Sequence, residues 1–174
     1  VTVLLVGLIL IFLQDLVVPK FATSVPEGSM VAEYYKKSSG HDVLVFGDCE
    51  AYEVISPVTL WEEYGITSYV RGSSQQMIWL SYYLIEDALR YEKPEAVLLS
   101  INSMMHPSPD GKNDDSSDDY FYNAEEREAY NRMTIDGMKW SKSKFGAIEA
   151  SMTSAERKKS GVWSYVFPIL RYHD

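Results

Sequence analysis

The chain has 174 residues, 46% of them apolar and 13% aromatic, which suits one domain with a sizeable core and excludes a disordered chain. A formal net charge of −9 argues against nucleic acid as a partner, since nothing here would displace counterions from a phosphate backbone. A single cysteine excludes an intrachain disulfide.

Val1 to Val18 reads V-T-V-L-L-V-G-L-I-L-I-F-L-Q-D-L-V-V, with no charge before Asp15. As a helix it spans about 27 Å at roughly 1.5 Å per residue, close to the hydrocarbon thickness of a bilayer. Asp15 falls near one end, where an ionised side chain reaches the interface. Segment 1–19 is therefore expected to be a transmembrane signal anchor, making this a single-pass protein of the cell membrane with its main domain outside the cytoplasm. A cleaved signal peptide and a buried core helix are the alternatives, the former disfavoured because no small-x-small site follows the apolar run. The opening Val1, without basic residues before the run, and the end at Tyr172-His173-Asp174, without a turn signal, suggest a piece of a longer protein.

Segment 20–40 reads as a linker, with a turn at Pro26-Glu27-Gly28-Ser29 and a short lead-in over Val31 to Lys37. Asp42 to Gly47 is a continuous apolar run of the kind found in parallel strands covered on both faces. Ser56-Pro57 predicts a helix start, with Ser56 as N-cap, and Gly65 its left-handed stop. Ile66 to Val70 reads as a second strand, Gly72-Ser73-Ser74 as a turn, and Gln75 to Tyr91 as a long helix whose Met77, Leu80, Leu84, Ala88 and Tyr91 share one face. Lys93-Pro94 ends it, and Ala96 to Ile101 is a third strand. This β-α-β-α-β order predicts right-handed crossovers and a parallel sheet with its site at the carboxyl ends of the strands. The exits Gly47 to Glu53 and Asn102 to His106 therefore matter most.

Beyond the core at 41–107 comes an acidic loop at 108–123, holding Asp110, Asp114, Asp115, Asp118 and Asp119. Its spacing does not match an EF-hand, so a solvated loop is expected. Segment 124–174 reads as a helical insertion or cap over the sheet edge, with helices near 125–132, 136–151 and 154–172. Thr153-Ser154 before Glu156 caps the last.

The run Asp42-Val43-Leu44-Val45-Phe46-Gly47-Asp48-Cys49 resembles the first block of the SGNH (GDSL-like) hydrolases, a hydrophobic strand ending in Gly-Asp-Ser. Gly72 resembles the glycine of the family's second block, and Ser100-Ile101-Asn102-Ser103 falls where the family has Gly-x-Asn-Asp. The likeness spans 42–106 and is closest to membrane-anchored SGNH-like proteins of Gram-positive bacteria, in which a region like Trp61-Glu62-Glu63-Tyr64-Gly65 follows the first block.

The resemblance implies a three-layer, flavodoxin-like α/β fold with helices on both faces of a parallel sheet, here truncated. It also implies ester chemistry without a cofactor. Cys49, beside Asp48, would attack an acyl carbon of a cell-envelope polysaccharide or acyl polymer, in concert with a membrane-bound O-acyltransferase. The Cys49 amide, the Gly72 amide and the Asn102 side chain would hold the oxyanion, at about 3–4 kcal/mol per preorganised donor. Three departures stand out: Cys49 replaces serine, Ser103 replaces the aspartate of the third block, and no Asp-x-x-His occurs in the chain. His106, five residues past the third strand, is the candidate base; His41 precedes the first strand and points away, and the placement of His173 stays open. Asp48, Glu50 and Glu53 around Cys49 favour the neutral thiol. A buried structural thiol, in a non-catalytic module that binds an envelope glycan or supports an acyltransferase, is the alternative. A flavodoxin-like phosphate or flavin site is a third, weaker reading, since the acidic neighbours of Cys49 make a poor anion site.

Overall fold

The computed structural model describes residues 2–22, 26–36, 40–105, 124–158 and 161–167. The acidic loop at 108–123, His106 and His173 lie outside them.

Three parallel strands form the sheet, β1 (Val43–Gly47), β2 (Ser68–Gly72) and β3 (Ala96–Leu99), in the order β2-β1-β3. The register pairs Gly47 with Gly72 and Phe46 with Leu99, so all three carboxyl ends finish on one rim. Alternation along β1 sends its side chains into two separate cores, as expected for a central parallel strand. Leu44 and Phe46 enter a large core with α2 (Pro26–Tyr34), α5 (Ile78–Ala88), α6 (Ala124–Gly137) and α7 (Lys142–Ser151). Val45 enters a smaller one with Val70 and Ala51, the latter on α3 (Cys49–Val54). Helices thus cover both faces, and the expected α/β class and parallel sheet hold.

Local chemistry explains several of the elements. In α4 (Pro57–Tyr64), the Ser56 hydroxyl accepts the Thr59 N–H, Pro57 starts the helix, and Gly65 closes it at φ 68°. In the helix α8 (Ser154–Lys158), the Thr153 hydroxyl accepts from the Glu156 N–H while the Glu156 carboxylate accepts from the Thr153 N–H, a reciprocal cap. The buried Lys144 ammonium donates to the carbonyls of Asp136 and Met138, at 3.3 and 2.9 Å, and so satisfies the end of α6.

Other expectations need correction. The strand expected at 66–70 runs from Ser68 to Gly72, because Arg71 is fully buried and needs the partners that this register supplies. Its guanidinium donates to Asp87 Oδ2 at 3.3 Å, to the Leu84 carbonyl at 3.2 Å and to the Tyr35 hydroxyl at 3.1 Å, and lies 4.2 Å from the centre of the Tyr34 ring. The helix expected from Gln75 begins at Ile78, since the three residues before it form a structured turn. The expected linker 20–40 includes the whole of α2, which contributes Val31 and Tyr34 to the core. The expected 136–151 helix is interrupted between Gly137 and Lys142, and the last one is split into α8 and α9 (Val162–Val166). Helices α6 and α7 pack against α2 and α5.

Strand β3 pairs only with β1 among the described residues, and Val97, Leu98 and Leu99 are each more than a third exposed. Helix α1 (Thr2–Ala22) carries its apolar side chains around its whole circumference from Leu4 to Leu13, most of them exposed. The side chains of 14–22 lie outside the described set; among the described residues no helix is long and apolar enough to cross a membrane.

Candidate functional site

The rim of the sheet is built from backbone that tolerates no side chain. Gly47 takes φ 153°, and a Cβ added there would stand 2.4 Å from the Ser100 Cβ. Gly72 is also closely packed: its added Cβ would meet the Gly47 carbonyl oxygen at 3.0 Å and the Asp48 carbonyl oxygen at 3.3 Å. Glycines at both positions let the exits of β1 and β2 touch. The Ser73 N–H then donates to the Gly47 carbonyl at 3.3 Å, extending the contact past the strands.

Asp48 is buried and accepts a 3.1 Å hydrogen bond at Oδ1 from the Ser100 hydroxyl. The Ser100 N–H donates to the Phe46 carbonyl at 2.8 Å, so the exit of β3 is fastened to that of β1 twice. Cys49 is the first residue of α3 and is partly exposed. Burial pushes that thiol up from its ordinary range, and the negative charges of Asp48 and Glu53 push it further. The backbone amides of Gln75 and Glu50 act in the opposite direction.

Gln75, absent from the expected set, lies in the turn that follows the Gly72 exit. Gln75 has φ 50°, the only positive value among the described non-glycine residues. Around it, fully buried Gln76 accepts from the Ser73 hydroxyl at 3.1 Å and donates to the Ser81 hydroxyl at 2.8 Å. Asn131 of α6 reaches the same turn, accepting from the Met77 N–H and donating to the Gln75 carbonyl, both at 3.4 Å. Polar pairs at 73–76 and 76–81 hint at a structured turn in the sequence. Nothing local signals Asn131.

Of the sequence-predicted residues, Asp48, Cys49 and Gly72 are brought together. Asn102 sits half-buried on the 3-10 turn Ile101–Met105 that follows β3, on the same rim, and the described contacts do not tie it to Cys49. His106 lies outside the described residues. His41 is held at the other end of the sheet, its N–H donating to Glu92 at 2.7 Å.

Below Ser100, an apolar cleft of about 330 Å³ opens between α3 and β3, lined by Val45, Glu50, Ala51, Val54, Ile55, Leu98, Leu99 and Ser100. Compared with protein-family models, curated proteins and solved structures, the chain matches none.

Proposed function

We propose that this chain is an SGNH-like module that hydrolyses or transfers acyl esters on a cell-envelope polymer, with Cys49 as nucleophile. The observation that carries the reading is the rim itself: a partly exposed cysteine on the first turn after β1, flanked by the close-packed Gly72 exit. The strand order β2-β1-β3 and helices on both faces are what the front part of such a flavodoxin-like fold requires.

In this mechanism the Cys49 sulfur attacks the acyl carbon and the carbonyl oxygen becomes an oxyanion, held by backbone N–H groups and, from the third strand exit, by Asn102. The carbon–oxygen ester bond breaks, the thiol proton leaves with the alcohol, and a thioester remains on Cys49. Water or a second hydroxyl then takes the acyl group and returns a proton to the sulfur. His106 is the candidate to carry that proton.

Helix α1 is assigned the role of signal anchor, holding the module at the outer face of the cell membrane. Support comes from its exposed apolar side chains on all sides between Leu4 and Leu13, since a helix apolar all round needs either a protein interior or lipid to cover it. An envelope O-acyltransferase in the same membrane fits as a partner.

The raised thiol favours a second reading, a non-catalytic module that binds an envelope glycan or supports the acyltransferase. Replacing Cys49 with Ala in the full chain separates the two. Loss of ester turnover supports the enzyme, whereas turnover equal to the parent removes it. Absence of turnover in the parent, with glycan binding retained in the variant, supports the module.

A further inference from the structure

We propose that Ser100 is a positioning residue of this site: its hydroxyl holds the Asp48 carboxylate against the exit of β3 and so keeps it from closing over the first turn of α3, where Cys49 and its N–H would meet an acyl group. The meeting with the acyl group rests on the acyl-transfer reading; the hold on Asp48 stands without it.

Asp48 occupies a place from which an aspartate ordinarily caps a helix. It is the residue before α3, its backbone is extended at φ −80° and ψ −163°, and from there a side-chain oxygen can accept the N–H groups of the first turn. The residues in this place before α4 and α7 do so: Ser56 accepts from the Thr59 N–H and Ser141 from the Lys144 N–H, each at 3.2 Å. The Asp48 side chain makes no such bond. The corresponding N–H, that of Ala51, donates to the Asp48 backbone carbonyl at 3.1 Å. The carboxylate is turned inward and buried, with Oδ1 accepting from the Ser100 hydroxyl at 3.1 Å.

Ser100 can hold it because Ser100 is itself fixed. The register sets Leu99 opposite Phe46, so the next residue arrives beside the exit of β1. There the Ser100 N–H donates to the Phe46 carbonyl at 2.8 Å, and the missing Cβ of Gly47 makes room for the Ser100 Cβ. The resemblance puts a glycine at position 100, which has no hydroxyl to offer. Held inward, Asp48 disfavours the Cys49 thiolate only through its charge. Swung onto the first turn, it would occupy N–H groups there and bring that charge to the place where an oxyanion forms.

The test compares the full parent chain with Ser100→Ala and with Ser100→Ala/Asp48→Ala, on an activated ester and by iodoacetamide alkylation of Cys49 at fixed pH. In Ser100→Ala, kcat should fall at least about tenfold with KM little changed, as for a blocked oxyanion donor. Alkylation should slow at least about threefold as the carboxylate nears the sulfur. Removing the carboxylate as well should recover most of the lost rate in both assays. A bond that serves stability alone would lower the unfolding midpoint of both variants with no recovery of rate in the second, and that result overturns the proposal. A folded Ser100→Ala protein with the parent's rates overturns it equally. If Ser100→Ala does not fold, Ser100→Gly takes its place, since it removes the hydroxyl and also relieves the packing against Gly47. Ester turnover that survives Cys49→Ala defeats the acyl-transfer reading, and the alkylation rates then decide the hold on Asp48 by themselves.

Discussion

The Ser100 hydroxyl donates to Oδ1 of Asp48 at 3.1 Å, joining the exit of β3 to the residue that precedes Cys49. Both partners belong to strand exits that meet at the rim, and Asp48 is almost wholly buried. A hydrogen bond to a charged acceptor in such a place is worth about 1.5–3 kcal/mol. Ser100→Ala should therefore lower unfolding stability by an amount in that range, read from the midpoint of urea denaturation with an unchanged slope. A variant as stable as the parent would show that this bond does not hold the rim together.

Gly47→Ala should be far more costly, about 3 kcal/mol or more, because it combines positive φ with a clash against the Ser100 Cβ. Pairing it with Ser100→Gly relieves the clash and leaves the φ penalty, but also removes the Ser100–Asp48 bond, so the double variant is compared with Ser100→Gly alone. Adding Gly47→Ala to Ser100→Gly should cost less than adding it to the parent; no cost at all would mean the φ of Gly47 carries no penalty.

Asp87 is fully buried and answers the equally buried Arg71, together with Tyr35 and Ser141. Removing one member of a buried ion pair strands the other, so Asp87→Ala should destabilise the fold by about 3–5 kcal/mol. Replacing Arg71 and Asp87 together with Met and Leu should cost less than Asp87→Ala alone. The reverse order in urea denaturation would show that the pair is net stabilising, beyond the stranded charge.

Alkaline pH should unfold this protein early. Burial, the dominant cause in each case, pushes the hydroxyl of Tyr69 up to about 12 and those of Tyr34 and Tyr35 higher still. In the unfolded chain these tyrosines ionise near 10. The unfolded state thus binds fewer protons across the interval from about 10 to 12, and stability, complete below it, falls as pH rises through it. Tyr69→Phe should flatten the loss, measured as the thermal midpoint against pH.

The outer edge of β3 should drive self-association. Ala96, Val97, Leu98 and Leu99 have no strand partner on that side among the described residues, and such an edge is a template for pairing. Leu98→Lys should shift sedimentation toward smaller species, and an equally associated variant would place the contact elsewhere.

Much of this is legible in the sequence where a local rule is sufficient. Ser56, Pro57 and Gly65 bracket α4 at the expected residues, and the apolar run ending in Gly47-Asp48-Cys49 marks β1 and its exit. Where burial overrides propensity, the reading slips. Arg71 looks like a turn residue until Asp87, Tyr34 and Tyr35 surround it, so the sequence places β2 two residues too early. The Gln75 amide and Asn131 are illegible for a different reason: a backbone N–H leaves no letter in the sequence, and 56 positions separate the residues whose bond orients the turn.

Trapping the acyl group tests the central claim most directly. The full chain is mixed with an activated acyl ester, quenched in acid and digested, and the Cys49 peptide is weighed. An acyl thioester on Cys49 that forms before product accumulates, and is missing from Cys49→Ala, is the predicted result. Ester turnover with Cys49 unmodified at every time point would contradict it.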